Sequence, residues 1–95
     1  MIFIKEHIYN HRKLLSICDG NLIGKTFEEG NFVINVSKNF YQGEPMFEND
    51  ILNLIEDGIL LNIVGEESVN FALKNKLIEK FGIIKIKNIP HALLL

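Results

Sequence analysis

The sequence has one cysteine, no tryptophan, two prolines and a single arginine beside nine lysines. A lone cysteine excludes an internal disulfide, so the fold must hold by its apolar core. Cys18 stands between Ile17 and Asp19 in an apolar run, which marks it as a buried structural thiol. A catalytic thiolate would need a base or a positive field beside it. No stretch comes near the ~18 apolar residues that cross a bilayer as a helix. The longest candidate, Ile59 to Val64, is interrupted by Asn62. Lys5 and Glu6 fall too early for the apolar region of a secretory leader. No membrane partner is expected, and a cytoplasmic location follows.

Basic charge is missing from the middle of the chain. Between Lys38 and Lys74 there is no Lys or Arg, while Glu44, Glu48, Asp50, Glu56, Asp57, Glu66 and Glu67 fall in that stretch. From Lys74 to Lys87 the balance reverses, with Lys74, Lys76, Lys80, Lys85 and Lys87 against Glu79 alone. Each block reads first as a solvated face. The net charge of −2 removes any global electrostatic argument for nucleic acid. At 95 residues, 47% hydrophobic and 23% charged, the chain fits one globular domain over residues 1–95, not a disordered tail or a fibre.

The apolar pattern predicts an α/β fold with α+β character. Met1 to Ile8 and Arg12 to Cys18 read as strands of an N-terminal hairpin turning at Tyr9-Asn10-His11. Phe32 to Val36 reads as a third strand, with Phe32, Ile34 and Val36 on one face. Asn49 to Asp57 reads as a short helix capped by Asn49 and stopped at Gly58. Ile59 to Val64 is a buried strand, Glu66 to about Asn75 a second helix, and Ile83 to Ile86 another strand. Strand, helix and strand make a βαβ unit with parallel strands, which gives a small mixed sheet with two helices. Leu61, Val64, Leu73 and Ile84 are assigned to the core.

Several segments invite a chemical reading. Gly20-Asn21-Leu22-Ile23-Gly24-Lys25-Thr26 looks like a phosphate loop, but one intervening residue is missing and a strand follows where a helix should open. A tight turn with an exposed lysine fits better. Val64-Gly65-Glu66 joins a strand to a helix, where phosphates can bind, yet Glu66 and Glu67 already fill the first turn. His7 and His11 straddle a hairpin turn without a Cys/His cluster, so no metal is expected. Pro90 fixes the chain ahead of His91, which could serve as a general base but has no visible nucleophile beside it. The tip Tyr9-Asn10-His11-Arg12-Lys13 joins aromatic and basic groups that could stack on bases and meet phosphates, or form an ordinary polar turn.

Taken together, Cys18-Asp19, Leu22 to Phe27 with Gly30, Phe40-Tyr41 with Gly43, Asn62 to Glu66 and Ile89 to Ala92 resemble the archaeal family called domain of unknown function 424. The resemblance covers most of the chain in colinear order. It implies an archaeal source and a small α/β domain, and it brings no established activity. The company such families keep points to translation or RNA metabolism. Asp19, Gly24, Lys25, Asn62, Gly65, Glu66, Pro90 and His91 match the polar and glycine signature. Asn75-Lys76 and Lys87-Asn88 depart from it, where the family typically has a helix-ending glycine and a small-residue pair.

The candidate binding residues are therefore Asp19, Gly24, Lys25, Asn62, Glu66 and His91, with no cofactor. The expected function is a non-catalytic module that binds RNA or a translation protein. The alternative is a small enzyme or ligand binder using Asp19, Lys25 and His91, whose loops would then lie close together. The terminal Leu93-Leu94-Leu95 must either pack on the domain's own sheet or pair two copies into a homodimer.

Overall fold

The structure, a computed structural model, describes residues 1–95. In chain order it contains β1 (Ile2–Tyr9), β2 (Arg12–Asp19), β3 (Thr26–Glu29), β4 (Phe32–Asn35), α1 (Lys38–Tyr41), β5 (Glu44–Met46), α2 (Glu48–Leu52), β6 (Leu60–Val64), α3 (Glu66–Lys74), β7 (Ile83–Ile86) and β8 (Ile89–Leu94). The main sheet has the order β5-β1-β2-β6-β8-β7, and β3 and β4 form a separate two-stranded sheet. The α/β class and the mixed sheet are as expected, since β2 and β6 run parallel and the other neighbours antiparallel.

The N-terminal hairpin turns on Asn10 and His11, both in the left-handed region (φ 51° and 64°). That is the two-residue turn whose twist matches a hairpin. Lys87 and Asn88 repeat it between β7 and β8 (φ 52° and 64°).

Alternation along the strands sorts side chains onto two faces. On the first, Ile4, Leu15, Ile17, Leu61 and Ile63 pack against Ile51 of α2 and Val69, Phe71 and Ala72 of α3. Phe71 is 1% exposed, and a side chain of that size contributes about 1.5–3 kcal/mol when buried. On the second face, Cys18, Val64 and Ile86 pack against Ile34, Val36 and Tyr41 from the β3–β4 layer and α1.

Four expectations need correction. The helix drawn over 49–57 is confined to Glu48–Leu52, and its cap position is Phe47, whose side chain makes no capping bond. Beyond it, Leu54 N–H bonds Ile51 O and Ile55 N–H bonds Leu52 O, so tight turns carry the apolar residues to the core. The strands β6 and β7 are parallel in direction but not neighbours, because β8 lies between them and pairs antiparallel with both. Pro90-His91, read as a loop, is part of that strand. Ile84 is 51% exposed, whereas Ile86 on the same face is 3% exposed, because the β3–β4 layer covers only the Ile86 end of this edge strand. Phe32 is likewise exposed while Ile34 and Val36 are buried. Leu61 and Val64 are buried, and Leu73 packs half-buried against the first core.

Candidate functional site

Asn62 is the one polar side chain in the buried strand β6, and its partners define a polar cluster on the second face. Its neighbour across β8 is Leu93, and Val64, two residues on, pairs with His91. His91 Nε2 lies 3.2 Å from Asn62 Oδ1. Tyr41 Oη donates to the same oxygen at 2.9 Å. A carbonyl oxygen can only accept, so His91 carries its proton on Nε2. Both donors converge on one atom.

The next strands add a second set of contacts. Ser16, fully buried in β2, pairs with Asn62 and donates to Phe40 O at 3.0 Å. His7 Nε2 donates to that carbonyl at 2.9 Å, and its ring stacks on Phe40 with centroids 4.2 Å apart and planes 11° from parallel. Lys5 Nζ bonds Asn39 O. Side chains of β1 and β2 thus satisfy the carbonyls left open at the end of the four-residue α1. Ser37 caps the other end, accepting from Phe40 N at 3.2 Å.

The titratable groups here resist ionisation. Burial lowers the His91 pKa below its ordinary value, which keeps the ring neutral near pH 7. Burial, and secondly the neighbouring Cys18, push the Tyr41 hydroxyl up to about 12, with the Asn62 bond pulling the other way. Burial, and secondly Asp19, push the Cys18 thiol up to about 12. Cys18 and Tyr41 therefore stay undissociated at neutral pH and supply no charged nucleophile, and all three side chains can hold hydrogen bonds.

The remaining candidates lie elsewhere. Asp19 ends β2 beneath the start of α3. Its Oδ2 accepts from Glu67 N at 3.0 Å, and its Oδ1 accepts from Ser68 N at 2.8 Å and Ser68 Oγ at 2.7 Å. A carboxylate so engaged is a helix cap. Gly65 makes this approach possible, because at φ 110° a Cβ would stand 2.3 Å from Asp19 Cγ. Gly24 and Lys25 open the β3–β4 layer through Gly24 N–H to Val36 O and Val36 N–H to Lys25 O. Asn62 and His91 are therefore brought together. Asp19 and Lys25 each have separate structural contacts, and none of the four cavities is lined by Asp19, Lys25 or His91.

Glu66 lines the largest cavity, about 580 Å³, between α3 and the β7–β8 hairpin on the first face. Asn70, Lys80, Lys85, Asn88 and Pro90 line it too. Neither Lys80 nor Lys85 makes an ion pair, although Lys74 pairs with Glu48 at 2.7 Å and Lys13 with Glu56 at 3.7 Å. At the hairpin tip Arg12 donates to Gly58 O at 2.6 Å, so its guanidinium is partly engaged. The sequence singled out the basic segment from Lys74 to Lys87 but not the groove it would form. The roles of Tyr41, Ser16 and His7 in the polar cluster are not evident from the sequence; only Ser16, a lone polar residue within the apolar run of β2, carries a signal for it.

A mixed six-stranded sheet, covered by α2 and α3 on one face and by α1 and a small hairpin on the other, defines a compact α/β class with no obvious catalytic constellation. The chain belongs to the family Protein of unknown function (DUF424), which matches residues 6–95 and is the family its motifs resemble. A similar fold occurs in the crystal structure of an uncharacterized conserved protein from Methanopyrus kandleri, with a TM-score of 0.78 and 20% identity over 98% of this chain and 89% of that one. Comparison with curated proteins returns no match. No helix is long and apolar enough to cross a membrane.

Proposed function

We propose that this protein is a non-catalytic module that binds RNA, in the setting of translation or RNA metabolism. The observation that carries this reading is the 580 Å³ groove, where Lys80 and Lys85 stand without carboxylate partners beside the amides of Asn70 and Asn88. Two free ammonium groups suit consecutive phosphates, and amides suit sugar hydroxyls or base edges. Glu66 on the same groove tempers the charge. Lys76 and Lys87 are exposed as well. The undissociated Cys18 and Tyr41 offer no ionised nucleophile, which favours binding over catalysis.

Electrophoretic shift with transfer RNA and ribosomal RNA fragments at several salt concentrations tests the reading. Log K should fall linearly with log salt. The double variant Lys80→Glu, Lys85→Glu should abolish most binding, and single Lys→Gln changes should each lower the salt slope by about one. Absence of binding at low salt, or binding that the double variant leaves intact, would reject it. Affinity purification that recovers a translation protein without RNA would move the partner to protein.

A further inference from the structure

Two hollows of about 340 Å³ each flank the end of β8. Leu93 lines both, so the strand end is the ridge between them. Leu94 lines the first beside Phe81, and Leu95 lines the second beside Ile8 and Tyr9. All six side chains are exposed, Phe81 by 89%. We infer that this surface pairs two copies of the chain across a two-fold axis. The inference does not rest on RNA binding by the lysine groove, so either can fail without the other.

A soluble monomer rarely leaves a contiguous apolar surface of this kind in water. None of the six side chains belongs to either core. The charges at the rim say what covers them. Lys76 and Glu79 are the only Lys, Arg, Asp or Glu side chains lining either hollow, and neither makes an ion pair within the chain. An anionic partner would meet Glu79, and a cationic one would meet Lys76. A second copy satisfies both. A two-fold axis that sets Lys76 against Glu79 of the other copy necessarily sets Glu79 against the other copy's Lys76. The apolar part is its own complement too, because one surface supplies both protruding side chains, Phe81 foremost, and hollows to receive them. Burial of the apolar side chains supplies the affinity, and the reciprocal charges fix register and orientation.

The test is the mass of the RNA-free protein, measured by analytical ultracentrifugation at low salt over a range of concentrations. The unaltered chain should reach twice its monomer mass as concentration rises. Phe81→Asp should raise the dissociation constant about tenfold or more. Its circular dichroism should stay that of the folded domain, since Phe81 belongs to neither core. Lys76→Glu and Glu79→Lys should each weaken the dimer by setting like charges together. An equimolar mixture of those two variants should restore it, because only between the different chains do opposite charges face each other again. Restoration separates a contact between copies from any effect on one chain's own fold. A monomer mass at every concentration, a Phe81→Asp variant that pairs as the unaltered chain does, or a mixture no tighter than its components would overturn the inference. Adsorption of a persistently monomeric chain to phospholipid vesicles, lost in Phe81→Asp, would overturn it by giving the surface to a membrane.

Discussion

Ser68 gives both its backbone N–H and its hydroxyl to a single oxygen of Asp19, at 2.8 and 2.7 Å, across 49 residues of chain. The pair fastens the end of β2 to the first turn of α3, so a helix is capped from a strand that lies about half the chain before it. Asp19→Ala should lower stability by about 2 kcal/mol, since it removes the cap and leaves buried donors unmet. Ser68→Ala should cost about half as much, because one of the three bonds goes. Urea unfolding measures both. A loss under about 0.5 kcal/mol for Asp19→Ala would show that the cap is not holding the helix.

Helix α3 ends by an equally specific device. Lys76 lies at φ 59°, Lys76 N–H bonds Leu73 O at 3.0 Å and Leu77 N–H bonds Ala72 O at 2.9 Å. Those are the two bonds of a Schellman motif, with lysine where glycine is favoured. Lys76→Gly should therefore raise stability by about 1 kcal/mol by relieving the left-handed strain. A higher urea midpoint with an unchanged slope is the expected result.

His91 makes stability depend on pH in a predictable direction. Its folded pKa is lowered by burial from an ordinary 6.5, so the unfolded chain takes up the proton more readily. The contribution is fully present above the unfolded value and is lost as pH falls towards the folded one. Urea midpoints measured from neutrality into the acid range should fall, and His91→Gln should flatten that part of the decline. An identical pH profile in the variant would show that the proton is taken up elsewhere.

Much of this fold was legible because local signals agreed. Asn10 and His11 sit between two β-rich runs, and both adopt the left-handed turn such a hairpin requires. The run from Leu60 to Val64 and the capped, amphipathic α3 were likewise readable. The place of β8 was not. Pro90 suggests a loop because proline removes a ladder donor. Here the two-residue turn makes Ile86 and Ile89 the hydrogen-bonded pair, so position 90 faces away from β7. On that side β6 has already ended, and Pro90 has only to accept from Gly65 N–H at 2.9 Å. The missing N–H has no partner to lose. Of the candidate site, Asn62 and His91 were singled out from the sequence. Their meeting with Tyr41 was not, because a four-residue helix held by tertiary bonds leaves no periodicity to read.

The position of β8 also sets an order of events during folding. It occupies the interior of the sheet, yet both of its neighbours precede it in the chain. β6 and β7 cannot bond each other directly, so this side of the sheet stays open until β8 arrives. The β7–β8 turn is local and fast to form, whereas docking that hairpin on β6 closes a loop spanning α3. Assembly is therefore a locking step: a preformed hairpin swings on the α3 arm and seals the β6 edge, and until then that edge is free to accept a hairpin from another molecule.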